Sequence, residues 1–187
     1  MNNIVKKAMP LPMLFIVMGV SGTGKSTLAK AIAKEFAIIY LDADDFHSEQ
    51  AKQHMAANKP LTDEMRKPWL VKILNHLKLL YQQGESVVLA YSGLKAAHRA
   101  LFRELPFHCQ FFCLNADKKL IASRISQRKE HFFSAQLLDS QYEALELPDS
   151  NESQIRIINV DRPLNLIVNE INQSTYNIIE KINDEES

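Results

Sequence analysis

MLFIVMGVSGTGKS, residues 13–26, joins a continuous apolar run to the pattern G-x-x-x-x-G-K-S. The run has the composition of a strand buried on both faces of a sheet. The spacing from Gly19 to Ser26 is that of a phosphate-binding loop. Small residues let the backbone curl until successive N–H groups converge on phosphate oxygens, Lys25 reaches the outer phosphates, and the Ser26 hydroxyl can ligate Mg²⁺. In STLAKAIAKEF, residues 26–36, Leu28, Ile32 and Phe36 share one helical face, so the loop opens a helix whose N-terminus favours anions. Strand, loop and helix in this order predict that the chain binds a nucleoside triphosphate.

The rest of the chain extends that pattern. Apolar strands are expected at 13–18, 38–41, 86–91, 108–114 and 155–160, and amphipathic helices at 25–36, 49–57, 63–83, 95–105, 116–127, 134–145 and 164–182. Such alternation is the mark of a parallel sheet covered on both faces. Thr62 is placed to cap the third helix, and Pro68 in its first turns predicts either a later start or a kink. With 187 residues and no linker or repeat, the chain reads as one domain.

Lysine plus arginine and aspartate plus glutamate both number 22, so no global field attracts nucleic acid or an anionic membrane. Cys109 and Cys113 sit four apart in an expected strand and read as buried reduced thiols, which suits the cytoplasm. Lys6 and Lys7 before an apolar stretch imitate a signal peptide. Pro10 and Pro12 interrupt it, and cleavage would destroy the phosphate loop, so that reading is rejected. No run reaches the length of a membrane span.

A second constellation, LDADDFH at 41–47, follows the second strand. Ligands of open α/β sheets bind at the carboxyl ends of strands, which brings these acids near the loop. One carboxylate there can orient a metal shell, and another can take the proton of an attacking hydroxyl. Asp45 reads as a helix cap. Arg66, Lys95, Arg99, Arg103, Arg124 and Arg128 are scattered cations, each expected on a solvated helix face. Arg124, Arg128 and Lys129 lead into Glu130-His131-Phe132-Phe133, where the helical pattern breaks. That segment reads as a lid whose arginines neutralise the transferring phosphoryl group.

Taken together, these segments resemble the gluconokinase family of P-loop small-molecule kinases, relatives of shikimate kinase. The resemblance is carried by MGVSGTGKST at 18–27, LDADDFH at 41–47, KPLTDEMRKPWL at 59–70, YSGLKAAHRALFR at 91–103 and RKEHFFSAQLLDSQYEALELP at 128–148. It implies a P-loop NTPase three-layer α/β/α sandwich, with a five-stranded parallel sheet of order 2-3-1-4-5 and a helical lid at about 124–140. It also implies ATP-dependent phosphorylation of D-gluconate at its 6-hydroxyl, with Mg²⁺, often in a homodimer. Carried over by position, Gly19, Ser21, Gly22, Thr23, Gly24, Lys25, Ser26 and Thr27 surround the phosphates, and Arg124 and Pro163 serve the nucleotide. Ser26 and Asp42 belong to the metal, and Lys25, Asp44 as base and Arg128 to catalysis. Asp44, His47, Arg66, Lys95 and His131 line the sugar-acid site.

Several positions depart from the family pattern. Met65 stands where a second acid is usual, His98 replaces a tyrosine, Gly93 an alanine and Glu130 the lid glycine, and Ala100 and Asn58 also differ. A thioether accepts hydrogen bonds far more weakly than a carboxylate. The sequence therefore leaves open a gluconokinase, a kinase of another sugar acid or polyol, and a nucleotide-binding protein without catalysis.

Overall fold

Six apolar residues in unbroken succession belong at the middle of a sheet, and there β1 (Met13–Met18) lies, parallel to β3 (Val87–Ala90) on one side and β4 (His108–Asn115) on the other. The computed structural model describes residues 11–57, 59–127, 135–149 and 151–185. Strands β2 (Ile39–Asp42) and β5 (Ile155–Asn159) complete a five-stranded parallel sheet of order β2-β3-β1-β4-β5, the order expected from the resemblance.

Because successive strand side chains point to opposite faces, β1 feeds two cores. Met13, Phe15 and Val17 pack with Leu28, Ala29 and Ile32 of α1 (Lys25–Phe36) and with Ile167 and Ile171 of α7 (Leu164–Glu185). Leu14, Ile16 and Met18 pack with Trp69, Leu70, Ile73 and Leu77 of α3 (Asp63–Gln82) and with Phe102 of α4 (Ala96–Arg103). The result is three layers. A smaller cluster of Val20, Leu94, Ile121 and Leu138 ties the phosphate loop to the β3–α4 loop, to α5 (Lys118–Ser126) and to α6 (Ala135–Glu143).

The helix starts follow from their caps. Ser48 accepts from the Ala51 N–H to begin α2 (Glu49–Ala56), Thr62 from the Met65 N–H, and Asp117 from the Lys119 N–H. Helix α3 begins at Asp63 and runs through Pro68. Helix α1 is different: its N-cap is Gly24, which supplies no side-chain bond. Asp42, rather than Asp45, caps the short 3-10 turn at Ala43–Phe46 by accepting from the Asp44 N–H.

Arg99 corrects the expectation of a solvated helix face. It is 1% exposed, and its guanidinium donates to both carboxylate oxygens of Glu152 and to the carbonyls of Gly93, Leu94 and Glu146. Arg103 adds a third donor to Glu152 at 2.7 Å. Glu146 in turn accepts from the Ala96 N–H at 2.7 Å, so a residue 50 positions away caps α4. This network fixes the β3–α4 loop, which forms one wall of the site described below.

Gly93 within that loop has φ +61°, and a Cβ there would lie 2.7 Å from the Met18 sulfur. The glycine and the methionine beneath it are therefore one packing solution. Both cysteines are inert thiols, as expected. Burial pushes Cys109 up to about 12 and Cys113 up to about 11.

The hydrogen bonds from Arg99 hold the Glu152 carboxyl below the usual range, Arg103 adding to the effect. A carboxyl depressed in the folded state contributes stability above its unfolded pKa of about 4.3 and loses it as pH falls through the folded value. Glu152→Ala, which leaves the Arg99 charge buried without its partner, should cost about 3 kcal/mol in urea unfolding at pH 7. That difference should shrink on acidification below pH of about 4.

Candidate active site

The carboxyl ends of β1, β2 and β3 open into a cleft of about 610 Å³. Its floor is the phosphate loop. The Gly19 N–H bonds to the Ser92 carbonyl at 3.0 Å, and a Cβ on Gly19, at φ +138°, would lie 2.6 Å from the Leu114 carbonyl oxygen. Only glycine lets the chain leave β1 this closely against β4. The loop then turns into α1, whose first N–H groups have no side-chain cap and face the cleft. An anion there completes the helix. Ser21, Gly22, Gly24, Lys25, Ser26 and Thr27 line this end. Thr23 does not: it is buried, its hydroxyl turned back onto the Val20 carbonyl at 2.8 Å. Lys25 Nζ donates to the same carbonyl at 3.2 Å.

Asp42, the last residue of β2, gathers the acidic side. Its Oδ2 accepts from Ser26 Oγ at 2.9 Å and from the Tyr40 hydroxyl at 2.8 Å, while Oδ1 accepts from the Asp44 N–H at 3.1 Å. Tyr40 was not singled out from the sequence. The signal was its i, i+2 relation to Asp42, which puts both on one face of β2. Burial and the bond to Asp42 push the Tyr40 phenol up to about 12, so it stays a donor across the neutral range. A hydroxyl and a carboxylate are hard oxygen donors of the kind Mg²⁺ prefers.

Asp44 projects from the 3-10 turn into the cleft. Its side chain is 86% accessible, yet protein walls the cleft around it. That enclosure raises its carboxyl above the usual range, the nearby Lys25 charge opposing and Asp42 reinforcing the rise. His47 Nε2 stands 3.8 Å from Asp44 Oδ1. The imidazole is stacked on Trp69 at 4.3 Å and 16° between planes, and its buried Nδ1 has no hydrogen-bond partner. Burial pushes the His47 pKa down, against the pull of Asp44. Trp69 is pinned by its indole N–H to the Ala43 carbonyl at 2.6 Å and leans on Tyr91 at 5.3 Å.

Arg66 lines the opposite wall, with Nη1 2.9 Å from Asp63 Oδ1. Lys95 stands behind it. Its Nζ is bonded to both oxygens of Asp63, at 2.9 and 2.7 Å, and it does not line the cleft. These donors, that from Lys95 foremost, hold the Asp63 carboxyl below its usual range. Of the two expected partners for a substrate carboxylate, Arg66 is the one presented to the cavity.

The departures fall mostly away from this cavity. Met65 lines a separate small hollow with Phe46, Ala51 and Pro68. His98 lies behind Tyr91, its Nδ1 3.5 Å from the Tyr91 hydroxyl. Helical spacing turns Met65 to a different face from its neighbour Arg66, away from the cleft. Arg124 lies outside the cleft and donates to the Val160 carbonyl at 2.8 Å, close to Pro163, which is exposed just before α7. Arg128 and His131, with Glu130 and the rest of 128–134 in the expected lid, lie outside the described residues. Gln141 of α6, which was given no role from the sequence, lines the cleft and bonds Ser21.

A family model described as an AAA domain matches residues 14–148. The chain is 36% identical over 169 residues to the thermoresistant gluconokinase of Escherichia coli (strain K12), covering 90% of this chain and 94% of that protein. It is 37% identical over 174 residues to a gluconokinase of Arabidopsis thaliana, covering 86% and 91%. Among solved structures, a gluconokinase from Sinorhizobium meliloti 1021 superposes with TM-score 0.83 at 32% identity, covering 95% of this chain and 99% of that one.

The opposed pulls on His47 can be read directly. In an NMR titration its midpoint should fall below the ordinary value of about 6.5. Asp44→Asn should lower it further, since Asp44 supplies the charge that favours the imidazolium.

Proposed function

This chain belongs to the gluconokinase family of P-loop kinases, and we propose that it transfers the γ-phosphoryl group of ATP to the 6-hydroxyl of D-gluconate, releasing 6-phospho-D-gluconate. The observation that carries this reading is one cleft that presents an uncapped phosphate loop, a carboxylate of raised pKa and an arginine together. A phosphotransferase acting on an alcohol needs those three: a phosphate cradle, a proton acceptor and a group that selects the acceptor molecule.

In this reading, Lys25 and the N–H groups opening α1 hold the outer phosphates of ATP. Ser26 and Asp42 would hold Mg²⁺, which when bound supplies charge neutralisation at the phosphates. Asp44 takes the proton of the 6-hydroxyl as the oxygen attacks phosphorus. Its raised pKa makes it a better base than an ordinary aspartate. Arg66 takes the gluconate carboxylate in a charge-assisted bond that a neutral sugar cannot make. The stacked His47 offers a ring nitrogen to a sugar hydroxyl.

Arg128 and His131 act from the lid and Arg124 and Pro163 at the nucleotide, by family resemblance, with Lys95 acting through Asp63 rather than on the substrate. Gluconate is favoured over another acid because Met65 and His98 lie off the cavity wall. The proposal extends to a single kinase domain and a cytoplasmic homodimer. Among the described residues no helix is long and apolar enough to cross a membrane, and Ile157, Leu164 and Leu166 stand exposed.

The test is ADP release with ATP and Mg²⁺, comparing D-gluconate with no acceptor, shikimate and other sugar acids, and using Lys25→Ala to exclude contaminating kinases. Gluconate-dependent turnover lost in that variant is expected. Turnover with a different acid alone would overturn the substrate, and silence across the panel would overturn the reaction. Asp44→Asn should lower kcat by about 10²–10⁴ with nucleotide affinity retained, and Met65→Ala should leave KM for gluconate within about twofold, the range of substitutions away from a site.

A further inference from the structure

Gln141 and Ser21 are 120 positions apart, yet they hold each other at two points. The Ser21 N–H donates to Gln141 Oε1 at 2.7 Å, and Gln141 Nε2 donates to Ser21 Oγ at 3.1 Å. One amide thus grips both the main chain and the side chain of a single loop residue, which fixes its rotation as well as its place. Both residues line the cleft. Nothing in the kinase reading uses Gln141, and simple packing would need neither end of an amide.

The helix that carries Gln141 is itself held firmly. Leu138 is buried against Val20, the Tyr142 hydroxyl bonds the Ala116 carbonyl at 3.2 Å, and the Glu146 N–H bonds the Leu94 carbonyl at 2.8 Å. The phosphate loop is the opposite case. Ser21 is followed by Gly22 at φ +87° and lies two residues after Gly19, in a stretch rich in conformational freedom. An anion site works by presenting its donors already aimed, so that binding does not have to order them. With the Ser21 N–H committed to Gln141, the donors left for phosphate are those of the following turn and Lys25.

We propose that Gln141 is a positioning residue for the triphosphate. Acting through Ser21, it holds the first turn of the phosphate loop in its binding shape and couples that shape to α6. This inference rests on the kinase reading of the cleft.

The test is calorimetric titration of the full chain with a non-hydrolysable ATP analogue and Mg²⁺, alongside steady-state kinetics. Gln141→Leu, close in size and without polar atoms, should weaken nucleotide binding about tenfold, as expected for two hydrogen bonds that pre-order the loop, with KM for gluconate within twofold. Ser21→Ala should weaken it about threefold alone, for one bond, and add nothing in the Gln141→Leu background. Nucleotide affinity within twofold of the parent chain would overturn the proposal. So would equal losses toward nucleotide and acceptor together with a lowered melting temperature, or additive effects in the double variant. The binding measurement needs no turnover, so a parent chain that binds nucleotide without phosphorylating gluconate would sink the function reading and leave this test standing.

Discussion

The burial of β1 on both faces is the constraint on which the rest of the molecule depends. A strand with cores above and below cannot shift its register without moving three apolar side chains out of each core. The loop leaving it is therefore delivered to one place, and Gly19 lets that loop depart within touching distance of the neighbouring strand. Parallel pairing does the same for the neighbours. Asp42 of β2 pairs with Ala90 of β3, and Val17 of β1 pairs with the same residue, so the acid, the loop and the β3–α4 turn emerge side by side.

A polar scaffold supports the apolar one on the far wall. The Arg99–Glu152 pair, braced by Arg103, reaches three backbone carbonyls of the loops around α4, and Glu146 caps that helix from a distance. Removing two charges from water is costly, and this pair is offset by a complete set of hydrogen bonds. Its consequence is local: the loop from Ser92 to Lys95 is held rigid without a regular element of its own. The same loop meets α6, so the phosphate end and the acceptor end of the cleft share a support.

Electrostatics within the cleft distinguish two carboxylates that stand two residues apart. Asp42 is saturated by Ser26, Tyr40 and the Asp44 N–H and is thereby fixed in direction. Asp44 has no such set of donors, faces the cavity and is raised by its surroundings. In the proposed reaction the bonded acid orients and the raised acid takes the proton, a division that follows from their different surroundings.

Strand and helix positions, the sheet order through its family resemblance, and the residues of the phosphate loop were all legible in the sequence, because each rests on local periodicity or on spacing within one turn. So was the proximity of Asp42 and Asp44 to that loop, since strand ends of a parallel sheet gather their ligands. Contacts between distant segments were not legible. Arg99 read as a solvated cation because nothing near it in sequence announces Glu152. Met65 stood out as a departure and Arg66 as a site residue, and only the packing of α3 showed that Arg66 lines the cavity and Met65 a separate hollow. Gln141 acquired its partner from the phosphate loop, 120 positions upstream. Local order is written in the chain. Which polar group meets which across the fold is set by tertiary packing, because the cost of burying a polar atom depends on the partner that arrives from elsewhere.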